Sequence, residues 1–192
     1  MAAAHKPLNI DCENCGQSNP PSNAICLKCD ASFAFLSKPT SAWEPSDYSQ
    51  WLFANHFQLA QLAAIGGAPS LSRSHQLNFY IGHFYYQVLN GGMWQYLENP
   101  CGPDAPKLVE ALVEIGAPRT AAVVTEALAF FPNGRPQEDD EERAISIEAI
   151  PEDVGQRLDG LAANLVNGTR SPEDLLRLLQ RRCAVLESNG LQ

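Results

Sequence analysis

The residues with the clearest chemistry are four cysteines near the N-terminus. They form two Cys-x-x-Cys pairs, Cys12 with Cys15 and Cys26 with Cys29, and ten residues separate the pairs. Two residues between paired cysteines let both sulfurs reach one metal ion, and four thiolates are a usual ligand set for tetrahedral Zn²⁺. Because a segment of about 25 residues cannot bury a core by itself, the metal would supply its folding energy. The sequence therefore predicts a structural zinc site, with two disulfides or a redox pair as the alternative.

A second candidate site lies among polar and aromatic side chains in the middle of the chain. His83, Asn90, Trp94 and Gln95 could form an enzyme site if the fold gathers them in a cleft, since imidazole groups are common general acids and bases. The helical spacing of the aromatic residues in 79–96 instead favours a packed core. A polar pocket around Asn90 and Gln95 would support the enzyme, and a packed core would count against it.

Other reactive side chains lack the neighbours that a catalytic site needs. Glu110 and Glu114 share a helix face at a spacing that can hold a metal, but no Glu-x-x-His pair accompanies them. His75 and His83 also share a face, without a carboxylate at ligand spacing. Cys101 stands near a predicted helix start, where a thiol pKa falls, but no histidine is close in sequence. We therefore predict no catalytic residues and a protein that is not an enzyme.

The distribution of charge points to a protein partner. The first 40 residues carry three acids and three bases, so the whole net charge of −9 belongs to the remainder. Phosphate contacts need lysine and arginine, so the main domain is not expected to bind nucleic acid directly. An acidic surface could attract a basic protein, or it could serve only solubility. The candidate acidic residues are Glu138, Asp139, Asp140, Glu141, Glu142, Glu152 and Asp153.

Helical periodicity dominates the chain after residue 46. Its central feature is a break at Asn90-Gly91-Gly92, because glycine lacks a Cβ and accepts the left-handed conformation that ends a helix. The acidic run 138–142 is predicted to be solvated. The pattern predicts an all-α fold of about seven helices, preceded by a small zinc ribbon. These helices are expected at 47–65, 71–89, 93–99, 104–115, 120–131, 151–167 and from 172 onward.

Composition divides the chain into four parts. We predict a disordered lead at 1–9, the zinc ribbon at 10–36, a proline-containing linker at 37–46 and the helical domain at 47–190. No run of about 18 apolar residues suggests a membrane span, and the N-terminus lacks the apolar core of a secretion signal. We expect a cytoplasmic protein with reduced thiols.

The stretch 79–131 carries a distinctive set of residues around the glycine break. They are Val88-Leu89-Asn90-Gly91-Gly92, Gln95-Tyr96, Asn99, Gly102, Ala111-Leu112, Ile115-Gly116-Ala117, Ala121 and Ala127. On these residues the chain resembles a bacterial domain of unknown function, the one that forms the C-terminal part of a DNA-mimic protein. The cysteine segment resembles the small zinc ribbons that bacterial proteins often carry at an end.

This resemblance implies an all-α domain, able to form a homodimer, whose carboxylates imitate the charge spacing of DNA and occupy a DNA-binding protein. Our leading hypothesis is therefore a non-enzymatic protein-binding module with a structural zinc ribbon. The enzyme site named above is one alternative. A ribbon that recruits nucleic acid is the other.

Overall fold

A computed structural model of the protein describes residues 10–11, 18–19, 59–166 and 174–188. Seven α-helices lie in these residues, and three short 3₁₀ helices connect some of them. The described part of α1 covers 59–66. The others are α2 (Arg73–Glu98), α3 (Ala105–Ile115), α4 (Pro118–Leu128), α5 (Asp140–Glu148), α6 (Glu152–Val166) and α7 (Leu175–Ser188). The 3₁₀ helices are Ala68–Ser70, Gly102–Asp104 and Pro132–Gly134.

Near the N-terminus, the structure describes one short pair of strands. β1 (Ile10–Asp11) pairs antiparallel with β2 (Ser18–Asn19), and Ile10 lies opposite Asn19. The residues that join the two strands include Cys12 and Cys15. All four predicted zinc ligands lie outside the described residues, so the ribbon and its metal remain predictions.

The central helix α2 contains the break that the glycine pair predicts. It begins after Ser72, whose hydroxyl accepts a hydrogen bond from the backbone N–H of His75. Gly91 (φ −158°, ψ 18°) and Gly92 (φ 88°, ψ −175°) both leave the helical conformation, and the helix resumes at Met93. The prediction of a left-handed helical conformation at the glycine pair is wrong in detail, because Gly92 combines a positive φ with an extended ψ. This conformation also requires glycine.

The core forms around α2, which packs against α3, α5, α6 and α7. Its largest buried apolar side chains include Phe84, Met93, Tyr96, Leu112 and Leu158. Three apolar side chains of these helices, at positions beside the core, are exposed: Leu89 (44%), Val113 (61%) and Val185 (47%). Leu89 stands just before the glycine break. The other two adjoin buried residues in sequence but lie off the apolar stripes of α3 and α7.

Helix ends show where local signals decide the structure. Gly116 (φ 86°, ψ 35°) ends α3 in the left-handed conformation, directly after the predicted last residue of this helix. α4 begins at Pro118, two residues earlier than expected, because proline is favourable in the first turn of a helix. The seven helices in the described residues equal the predicted number, but the prediction counted the two halves of α2 separately and missed α5. None of the helices in the described ranges is long and apolar enough to cross a membrane.

Candidate functional site

The most highly charged part of the described chain is the segment 138–159. It contains nine carboxylates and two guanidinium groups, so it carries most of the net negative charge. Eight of the carboxylates are exposed, and we call these eight side chains the acidic surface. They include all seven acidic residues that the sequence singled out, together with Glu148, which it did not. The acidic surface consists of Glu138, Asp139, Asp140, Glu141, Glu142, Glu148, Glu152 and Asp153.

Arg143 connects the acidic surface to the core. Its side chain is 1% exposed, and Nε donates to the carbonyl of Glu98 at the end of α2 (3.0 Å). Nη1 donates to the carbonyls of Gln137 (2.6 Å) and Glu138 (2.8 Å), and Nη2 pairs with the carboxylate of Asp140. A buried guanidinium needs such partners, and each charge-assisted bond is stronger than a neutral one. Arg143 therefore fixes the start of α5 against the end of α2.

The run 138–142 is a helix start, so its prediction as a simple solvated run was incomplete. The carboxylate of Asp139 accepts hydrogen bonds from the backbone N–H groups of Glu141 and Glu142, both at 3.0 Å. Acids in this first turn also lie near the positive end of the helix dipole. Within the described ranges, the side chains of Glu141, Glu142 and Glu148 form no hydrogen bond or ion pair. These three carboxylates are therefore available to a partner.

Two contacts fix α6 against the second half of α2. The backbone N–H of Met93 donates to Asp159 Oδ1 at 2.5 Å. Trp94 Nε1 donates to the carbonyl of Gly155 at 3.0 Å. Gly92 leaves the space that Asp159 occupies, since a Cβ at that position would lie 2.2 Å from Oδ1. The N-terminal part of α6, with its acidic residues, is thus positioned by the glycine break.

A small cleft of about 240 Å³ opens between α5, α6 and Trp94. Its walls combine an indole, isoleucine side chains and carboxylates at one edge of the acidic surface. We call it the Trp94 cleft and define it by Trp94, Ile147, Ile150, Glu152, Gly155 and Asp159.

The residues of the predicted enzyme site do not share either of two clefts in the described residues. His83 lines a different and larger cleft of about 600 Å³, with Phe79, Tyr80 and Cys101 among its neighbours. Gln95 covers Gly91 and donates to Gln87 Oε1 at 2.6 Å. Neither cleft includes Asn90 or Gln95 in its lining. Trp94 belongs to the Trp94 cleft, so this geometry counts against the enzyme interpretation.

Cys101 is a poor nucleophile in this environment. Its Sγ donates to the carbonyl of Tyr96 at 3.5 Å. Burial raises the pKa of the Cys101 thiol to about 11. The thiol is therefore almost entirely protonated at neutral pH, and the thiolate is the form that reacts.

Glu110 and Glu114 are engaged in separate ion pairs. Glu110 pairs with Lys107 on the surface (2.9 Å). Glu114 accepts from Arg73 Nε (2.9 Å) and Arg182 Nε (3.0 Å), so it joins α3 to α2 and α7. Burial alone would raise the pKa of Glu114, but the hydrogen bonds and charges of the two arginines outweigh it and lower the pKa. Among the residues that the structure describes, no group of three His, Cys, Asp or Glu side chains could hold a metal ion.

Comparison with known proteins identifies a family for the helical domain. The family described as DMP19-like protein matches residues 69–182, from the 3₁₀ helix before α2 into α7, which is more than half of the chain. No curated protein and no solved structure matches the chain.

Proposed function

Because this chain belongs to the DMP19-like protein family, we propose that it is a non-enzymatic protein-binding module that acts as a DNA mimic. Its acidic surface would occupy the DNA-binding face of a basic protein. The family match supports a DNA-mimic-like domain for residues 69–182.

The observation that carries this proposal is the fixed position of the acidic surface. Arg143 ties the start of α5 to the end of α2, and Asp159 ties α6 to the resumption of α2. Carboxylates held by a rigid scaffold can present negative charge at set spacings, as the phosphates of DNA do. Lysine and arginine of a DNA-binding face would meet these carboxylates as they meet phosphates, and complementary charge gives both specificity and fast association.

The free carboxylates define the test. Glu141→Gln with Glu142→Gln removes two charges from the acidic surface and leaves the Asp139 cap and the Arg143 contacts intact. Glu110→Gln, which breaks only the surface pair with Lys107 on α3, is the control. We expect the pair of substitutions at Glu141 and Glu142 to weaken binding to a captured DNA-binding protein and to reduce its salt dependence, while the control changes neither.

In a pull-down with this protein as bait, the amount of partner retained should also depend on salt and on competitor DNA. A partner held by this mechanism should be released as salt rises and displaced by duplex DNA, since both compete for its basic face. Retention that is unchanged at high salt, or equal loss in both variants, would contradict a DNA mimic.

For the N-terminal segment we propose a structural zinc ribbon at 10–36, with Cys12, Cys15, Cys26 and Cys29 as ligands. The pairing of β1 with β2 supports this, because a hairpin would place the first Cys-x-x-Cys pair in its connection. Zinc would supply the folding energy of the ribbon. Metal analysis of the purified protein should find one zinc ion per chain, and Cys12→Ser should lose it. Full zinc content in that variant, or none in the wild type, would contradict the assignment.

A further inference from the structure

We propose that the Trp94 cleft is a subsite for an arginine side chain of the basic protein partner. This inference rests on the proposed function and deepens it, because it names the side chain that one part of the acidic surface receives. The acidic surface could attract a basic protein through its overall negative charge without any such subsite.

The lining of the cleft fits the two parts of an arginine. Ile147 and Ile150 contribute apolar walls, which suit the methylene stem of a long basic side chain. Glu152 and Asp159 contribute carboxylates to the same cleft, which suit the guanidinium. Trp94 adds an indole, and an aromatic ring attracts a guanidinium over its face.

The polar groups of the cleft retain capacity for a ligand. Glu152 Oε1 accepts one hydrogen bond from Gln156 Nε2 (3.0 Å), and Asp159 Oδ1 accepts one from Met93 N–H (2.5 Å). A carboxylate has two oxygens and can accept further donors at each, so both side chains can still bind a guanidinium. The indole N–H of Trp94 is already donated to Gly155, which holds the ring in place.

The surrounding charges favour a cationic occupant from outside the protein. The acidic surface borders the cleft at Glu152 and continues at Asp153. Arg157 is the one arginine of α6, and it is engaged by Glu126 on α4 at 2.5 Å. An anion would meet two carboxylates here, and a purely apolar group would leave those carboxylates desolvated without a donor. Arginine fits better than lysine because its planar group can both stack and form paired hydrogen bonds.

Peptide titration of the full chain tests this subsite. The probes are a short peptide of alternating arginine and glycine and its lysine counterpart of equal length and charge. The indole N–H signals of the three tryptophans report binding, and loss of one signal in Trp94→Phe assigns it. We expect the arginine peptide to shift the Trp94 signal and to bind roughly five- to tenfold more tightly than the lysine peptide.

Glu152→Gln supplies the decisive variant because its side chain is exposed and outside the core. We expect it to reduce the preference for arginine to about twofold or less. Glu110→Gln removes the same charge from α3, which does not line the cleft, and should leave the preference intact. Equal binding of both peptides to the wild type, or an unchanged preference in Glu152→Gln, would overturn the arginine subsite.

Those negative results would leave the DNA mimic standing if Glu141→Gln with Glu142→Gln still weakened binding of both peptides. Loss of that effect as well would reject the wider proposal. The two failures are therefore distinguishable in one set of titrations.

Discussion

The backbone N–H of Met93 donates a hydrogen bond to the carboxylate of Asp159, 66 residues further along the chain. The second half of α2 therefore begins with a cap from α6 instead of one from its own sequence. Gly92 makes this possible, because its missing Cβ leaves room for the carboxylate. This long-range contact therefore links the break in α2 to the position of α6.

Gly92→Ala should be strongly destabilising. The new Cβ would lie 2.2 Å from Asp159 Oδ1 on a residue with φ 88°, so the cap and the backbone cannot both be kept. Strain and a lost cap together predict a loss of about 2–5 kcal/mol in the free energy of unfolding, measured by urea denaturation. Gly116→Ala is the control, since Gly116 has φ 86° but nothing within 4 Å of the added Cβ, and we expect a loss of about 1–2 kcal/mol. Equal losses would show that Asp159 does not matter.

Arg143→Met should destabilise the protein and loosen α5. The substitution leaves the carbonyl groups of Glu98 and Gln137 without the hydrogen bonds that the buried guanidinium donates, which predicts a loss of about 2–4 kcal/mol. Hydrogen exchange of 138–148 should also become faster. Arg157→Met is the control. It makes the same substitution at an exposed arginine and should leave the stability near that of the wild type. A stable Arg143→Met protein with unchanged exchange would contradict this role.

Stability should depend on pH through Glu114. Its folded-state pKa lies below the ordinary value of 4.5 because of Arg73 and Arg182, so the ionised form is favoured by folding. The contribution of ionised Glu114 to the free energy of unfolding is complete above pH 4.5, and it is lost as the pH falls through the folded-state pKa. Glu114→Gln should therefore cost about 1 kcal/mol at neutral pH, after allowance for solvent screening, and the difference should shrink in acid.

Denaturation of the wild type and Glu114→Gln across that range measures the effect. Glu110→Gln, which breaks only the surface pair with Lys107, should show little difference at any pH. A Glu114→Gln deficit that persisted unchanged below the folded-state pKa would indicate lost packing and not lost charge.

Cys101 should react slowly with alkylating reagents. With a pKa of about 11, roughly one molecule in a thousand carries the thiolate at pH 8. Peptide-resolved mass spectrometry after iodoacetamide treatment should show slow modification that accelerates as the pH rises towards 11. Rapid modification at pH 7 would reopen a nucleophilic role for this thiol.

Much of the helical domain is predictable because its signals are local. The glycine pair predicts the break in α2, the end of α3 falls directly before Gly116, and the expected start of α6 differs from the observed one by one residue. Each of these signals acts through the conformation of one or two residues. They need no knowledge of what packs nearby.

The candidate site was harder to predict because distant residues build it. α5 has a weak apolar pattern, and its start depends on Asp139 as a cap and on Arg143, whose partner Glu98 is 45 residues away. The sequence offered one signal for this helix start, a single arginine directly after five acidic residues. The Trp94 cleft likewise requires α6 to meet α2, which no periodicity in either helix reveals.

The burial of Arg143 has a consequence for the kinetics of recognition. In the proposed complex with a basic protein, the backbone of α5 would already be ordered before the partner arrives, so complex formation would not carry the entropic cost of ordering that segment. Encounter should then be limited by diffusion in the long-range field of the protein, and the association rate should fall steeply with ionic strength while the dissociation rate changes little.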